Sequence, residues 1–150
     1  MAKQAEGIMD FEQKKELIRK CFQYIDDRDS RVLELYTEDV ELLFPKFGRH
    51  HGKASIKIFA ERLSKMLNYL KHDIDHLRFL DAGETVVVEG REWGEMSDGT
   101  QFPDGKISQG LFCNIFEFRD ELICSVRIYV DPDFPSQDDA RIKALAIASV

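Results

Sequence analysis

The sequence predicts an α+β fold, with helices gathered on one face of an antiparallel sheet, and three observations lead there. Residues 10–26 and 53–70 carry apolar side chains at three- and four-residue steps, the spacing of one helix face. From His72 onward the period falls to two and stays there, the spacing of one strand face. Helices first and strands afterwards is the order of a segregated α+β domain, whereas a parallel sheet needs the two to alternate.

The first helix is predicted to open at Asp10, which with Gln13 resembles a capping box. It runs to 26 on a stripe of Leu17, Ile18, Cys21, Phe22 and Ile25. Asp26-Asp27-Arg28-Asp29 breaks it, and a short helix with Val32, Leu33 and Tyr36 continues to about Thr37. Val40 to Phe44 is an apolar run that Pro45 stops, and Gly48 to Gly52 reads as a loop. Ile56, Phe59, Leu63, Met66, Leu67 and Leu70 mark the second long helix. Strands are expected near 72–80, 84–96, 107–118 and 122–131. Asp81-Ala82-Gly83, the Gly- and Pro-bearing stretch Ser97 to Lys106 and the turn at Arg119-Asp120 separate them, so successive hairpins form a meander. In the tail, Asp138 is placed to cap a short helix through Ile142, Leu145 and Ile147.

With 150 residues, 43% of them hydrophobic and 11% aromatic, the chain can bury about two-thirds of its unfolded surface. A single domain is therefore expected over 1–150, its core at about 10–131 and a C-terminal tail at 132–150. The net charge of −7 repels phosphate backbones and anionic headgroups, so nucleic acid and membranes are not expected partners. Cys21, Cys113 and Cys124 are odd in number, sit in apolar runs and lack CxxC spacing, which reads as reduced core thiols in a cytoplasmic protein. The N-terminus has no apolar run of signal-peptide length, and no run approaches the 18 or so residues that span a bilayer.

The order helix, short helix, strand, FPKFGRHHGK, long helix and meander, closing in ICSVRIYVDPDF, resembles the SnoaL-like families of the nuclear-transport-factor-2-like superfamily over about residues 10–135. That resemblance implies a cone: a curved antiparallel sheet wrapped around helices, a small apolar pocket on its concave side, and a convex side that often forms a homodimer. Scytalone dehydratase, ketosteroid isomerase, limonene-epoxide hydrolase, polyketide cyclases and the phenazine-biosynthesis A/B proteins share it, and act on small, mostly apolar rings.

Carried over position by position, the families' catalytic groups are mostly replaced here. Cys21 falls where the isomerases place a tyrosine donor, with Tyr24 one turn later, and Phe44 falls at their base aspartate. Ile128 falls at the acidic residue of the epoxide hydrolases and phenazine proteins, and Phe59 at the phenazine proteins' helical histidine. Two positions stay polar. Asn114 corresponds to the isomerases' second acid and can donate a hydrogen bond to a carbonyl or phenolic oxygen. Glu92 corresponds to the epoxide hydrolases' arginine and is expected to face inward with Val88, Gly90 and Gly94.

Glu92 in an apolar pocket would have its charge disfavoured by desolvation, which tunes a carboxyl as an acid or base near neutrality. Against this stands the commoner fate of a strand glutamate, a salt bridge to Arg91 or Arg127, or exposure. His72 is a candidate proton carrier near Glu92. His72 and His76 have ligand-like spacing but no third ligand, and His50-His51 would point apart, so no metal site is expected. With Ile128 inward, Arg127, Tyr129 and Asp131 alternate outward, which makes the Tyr-x-Asp pattern an interface or strand-end feature. Trp93 is outward by the same register and suits a dimer interface.

The expected ligand is a small apolar, polyketide-like ring held among Cys21, Tyr24, Phe44, Phe59, Leu63, Phe112 and Ile128. Any chemistry would be cofactor-independent isomerisation, cyclisation or dehydration, with Glu92 as base, Asn114 as donor and His72 as carrier. The rival reading is a non-catalytic ligand-binding or dimerisation module. A ligand site encloses about 300 Å3 or more, whereas a scaffold with Phe44, Phe59 and Phe112 packed inward would be nearly closed. A weaker third reading is a subunit of a larger enzyme, as with the small chains of ring-hydroxylating dioxygenases.

Overall fold

The computed structural model describes residues 8–147. Helix α1 (Phe11–Asp26) opens on the expected capping box, the Asp10 side chain accepting from the Gln13 N–H at 2.8 Å and the Gln13 side chain accepting from the Asp10 N–H at 2.8 Å. It buries Ile18, Cys21 and Phe22 against the sheet. A 3-10 turn (Ser30–Leu35), capped by Asp29, leads into strand β1 (Tyr36–Phe44). Tyr36 and Thr37, expected to end a helix, begin that strand instead, both buried.

Gly48 to Gly52, expected as a loop, is largely a strand. β2 (Gly48–His51) pairs antiparallel with β1, Phe44 opposite Gly48 and Glu41 opposite His51. Its Gly-Arg-His-His sequence has no apolar alternation to announce it, because this edge strand packs neither face into the core. Helix α2 (Lys53–Met66) stops four residues short of its apparent end. Leu67 to Leu70 turn extended and form β3 (Leu67–His72), paired with the next strand but one, since Leu67 and Leu70 satisfy both helical spacing and a paired strand. The strand expected over 72–80 is broken by a 3-10 turn (Ile74–His76), after which β4 (Arg78–Ala82) begins.

The remainder is the meander: β5 (Thr85–Met96), a two-residue β6 (Gln101–Phe102), β7 (Leu111–Arg119) and β8 (Leu122–Val130). The sheet order is β2-β1-β8-β7-β5-β3, with β4 and β6 also on β5. It is mixed rather than wholly antiparallel, because β1 runs parallel to β8, Leu42 beside Val126. β5 changes partners halfway: β4 and β7 flank its first half, β3 and β6 its second. That exchange, the register shift where β3 joins β5 and the bulge between Glu117 and Phe118 curl the sheet into a half-barrel around α1.

The concave face carries Val86, Val88, Phe112, Phe116, Ile123 and Val126, which pack on α1. Asn114 lies on that face between Phe112 and Phe116, with Ile128 beside it, as the register from the sequence requires. Trp93 and Tyr129 face out, 43% and 41% exposed. α3 (Asp139–Leu145) follows Asp138 as expected, but that carboxylate accepts from the Arg141 guanidinium at 2.7 Å instead of capping the helix N–H groups. Among the described residues no helix is long and apolar enough to cross a membrane.

Candidate functional site

Asp26 ends α1, His72 ends β3 and Glu92 sits in the second half of β5, and the curl of the sheet brings the three together. His72 is the Cα partner of Glu92 across the β3–β5 ladder. Asp26 stands four residues after Phe22, on the buried stripe of α1. Its Oδ2 accepts the His72 backbone N–H at 2.8 Å while Oδ1 lies 2.5 Å from His72 Nδ1. The ring is thereby held in one plane, and its other nitrogen, Nε2, lies 3.4 Å from Glu92 Oε2. Lys71 Nζ donates to the Asp26 carbonyl at 2.9 Å, a further tie between helix and strand.

The trio is almost wholly buried, with side chains 5%, 7% and 9% exposed for Asp26, His72 and Glu92. Phe22 and Phe112 flank the imidazole, with ring centroids 4.7 and 5.4 Å away. Glu92 lies between Gly90, over which Phe112 and Leu77 close, and Gly94, over which Phe102 closes; a Cβ at either glycine would meet a ring atom within 2.7 Å. Burial alone would lower the His72 pKa. The hydrogen bonds and charges of Asp26 and Glu92 outweigh it, and the imidazole is held above its ordinary value. One carboxylate orients the histidine through Nδ1 and the second faces Nε2, an arrangement that can hold a proton between the imidazole and a carboxylate.

A cavity of about 570 Å3 opens beside this trio, between the end of α1, the 3-10 turn and α2. Tyr24 and Leu63, both expected at the ligand, line it with Ile25, Ile56 and Leu70. Ile25 immediately precedes Asp26, and Leu70 stands on the same face of β3 as His72, about 7 Å along the strand. The trio itself does not line the cavity.

The other expected residues lie elsewhere on the concave side. Cys21 Sγ is 3.2 Å from the Tyr36 hydroxyl, and burial pushes its thiol up to about 11. Phe44 and Phe59 pack on each other and on Phe47 near the β1–β2 turn. Phe112 and Ile128 belong to the packed core. Asn114 Oδ1 is buried without a partner. It pairs with Val88, four residues from Glu92 and so about 13 Å along β5, with Phe112 between. Asp131 accepts from the Asp133 N–H at 3.0 Å at the strand end. His76 is exposed and bound to Asp73 at 2.8 Å, and among the described residues no group of His, Cys, Asp and Glu has the geometry to hold a metal ion.

Asp26 is the residue that the sequence reading passed over, because it opens the run Asp-Asp-Arg-Asp and looks like a helix breaker. The signal was the helical period, which places Asp26 on the stripe of Ile18 and Phe22, where a carboxylate needs a buried partner.

A family model for the SnoaL-like domain matches residues 18–126. No curated protein matches the sequence. Among solved structures the chain is similar to a nuclear-transport-factor-2-like protein from Anabaena variabilis, with 22% identity, a TM-score of 0.67, and 85% of this chain and 96% of that one covered. It is similar to a candidate polyketide cyclase from Xanthomonas campestris, with 18% identity, a TM-score of 0.66, and 87% and 97% covered. It is also similar to TerC, crystallised with polyporic acid, with 22% identity, a TM-score of 0.65, and 87% and 98% covered. At these identities the likeness is one of fold.

Proposed function

The chain belongs to the SnoaL-like domain family, and from that premise we propose that it binds a small, mostly apolar ring molecule and moves a proton on it without a cofactor, by isomerisation, cyclisation or dehydration. The buried Asp26–His72–Glu92 trio carries this reading. On this reading a ring that reaches from the cavity past Leu70 toward His72 and Glu92 gives up a proton to Glu92 from a carbon next to its carbonyl. His72, fixed by Asp26, stands beside the Glu92 carboxylate as it does so. Glu92 then returns the proton at a second carbon, which isomerises the ring, or to a leaving hydroxyl, which departs as water. The 570 Å3 cavity exceeds the ~300 Å3 below which a scaffold has no room for a ligand.

The reading is tested with bicyclic ring ketones such as 2-tetralone in D2O, following deuterium uptake next to the carbonyl by NMR. Uptake should be faster than in buffer alone and should vanish with Glu92→Gln. Asp131→Asn, at the outward strand end, should leave uptake within about twofold of the wild type, as a surface change remote from the site does. One observation favours a second reading, a binding module without chemistry: the trio is sealed under Phe22 and Phe112 and does not line the cavity. Ring binding with no uptake would establish it.

Two further features belong to the proposal. The convex face exposes Trp93, Leu111 and Tyr129 around half-buried Val87 and Ile115, an apolar surface that suits a two-fold homodimer. Sedimentation should give a dimer at micromolar concentration, and Tyr129→Glu should dissociate it. The free thiols Cys21, Cys113 and Cys124 suit a reducing, cytoplasmic setting.

A further inference from the structure

We propose that the ring taken by the 570 Å3 cavity carries an anionic oxygen, a carboxylate or an ionised phenol or enol, and that Arg28 receives it. This rests on the reading of that cavity as the ligand site. The chain is acidic overall, with 28 Asp and Glu against 21 Lys and Arg, yet the balance at the cavity is reversed. Arg28, Lys57 and Lys65 line it against Asp29 and Glu61. Asp29 is already taken by Arg31, whose Nε and Nη2 donate to it at 2.9 and 2.5 Å. Glu61 faces Lys57 at 3.9 Å. Arg28 and Lys65 are left as cations without a carboxylate among the described residues.

Arg28 is also the only one of these cations whose head is pinned. Its Nη2 donates to the Leu67 carbonyl at 2.6 Å and to the Asn68 carbonyl at 3.0 Å, where α2 passes into β3. Its Nη1 and Nε have no protein partner among the described residues. The residue holds this place with φ of 53°, in the left-handed region that few non-glycine residues occupy. Nη2 belongs to both parallel donor pairs of a guanidinium, so with it held by the two carbonyls the N–H groups left on Nη1 and Nε act singly. A fixed positive charge with one such donor is what a carboxylate or an oxyanion on a ring accepts. The apolar walls supply the other half of the site: Ile25, Val32, Leu33, Ile56, Leu63 and Leu70.

The test compares 2-naphthoate with 2-naphthamide, the same ring with and without the charge, by NMR titration of the full chain. The wild type should bind the naphthoate about tenfold more tightly, the worth of one charge-assisted hydrogen bond at an open site. The preference should shrink as salt rises from 20 to about 500 mM. Arg28→Gln should abolish the preference while keeping naphthamide affinity. Arg28→Lys, which keeps the charge but not the planar head tied to the Leu67 and Asn68 carbonyls, should reduce it severalfold and serves if the glutamine variant does not fold. Equal binding of the two probes by the wild type overturns the anion proposal and leaves the cavity as a neutral-ring site. A preference undiminished in either folded variant overturns the assignment to Arg28. Binding of neither probe at millimolar concentration overturns the proposal and the cavity reading together.

Discussion

Glu92→Gln is expected to lower the turnover of any ring the protein converts by about 10²- to 10⁴-fold, the usual contribution of a positioned base. The substitution keeps the size of the side chain and a hydrogen-bond acceptor for His72 Nε2, 3.4 Å away. It removes only the capacity to take a proton. Ligand affinity should therefore stay within a few-fold, so that kcat falls and KM does not follow. Steady-state kinetics on the same ketones that report deuterium uptake would show this split. If kcat and KM change together, Glu92 shapes the site and does not carry the proton. If turnover is unchanged, the base lies elsewhere.

Asp26→Ala should cost about 3–5 kcal/mol of stability, the range found when one member of a buried charged pair is removed. The carboxylate binds both the His72 ring, at 2.5 Å, and the His72 backbone N–H, at 2.8 Å, so both lose a partner at a buried position. A carboxylate on the last residue of a helix opposes the helix dipole. In an isolated helix the change would help slightly, and a large loss thus isolates the cross-link to β3. Chemical denaturation at pH 6 measures it.

The pH dependence has a definite sign. The folded pKa of His72 lies above its unfolded value of about 6.5. Its contribution is fully present below pH ~6.5 and is lost as pH rises through the folded value. The wild type should lose stability relative to His72→Gln over that interval, and a difference that grows with pH would contradict the ionic reading of the trio. His76, also raised by Asp73 but exposed, is common to both proteins and cancels.

Much of the architecture was legible because buried apolar side chains impose a period. α1 with its Asp10–Gln13 box, the two faces of β5, and the inward register of Glu92, Asn114 and Ile128 all follow from steps of two or of three and four. Legibility failed where no buried face exists or where two periods coincide. β2 has no core face, and Leu67 and Leu70 fit helix and strand alike. At the site, Glu92 and His72 were legible together because they are ladder partners. Asp26 depends on a contact between residues 46 positions apart, and no local pattern announces such a pairing. The cavity lies between α1 and α2 and includes Tyr24 and Leu63, whereas Cys21, Phe112 and Ile128 went to filling the core.

The parallel pairing of β1 with β8 sets an order of events on the chain. Leu42 meets Val126 only after roughly eighty further residues have been made and arranged, and contacts of such span close late because the loop entropy comes due first. Until then, Val40 and Leu42 have one edge of their strand open, and only the short β2 hairpin protects the other. During synthesis that edge of β1 therefore stays unpaired until β8 has left the ribosome, and an unpaired strand edge is a template for association. Loss of the residues after Glu121 would leave that edge unpaired, and aggregation would be the outcome.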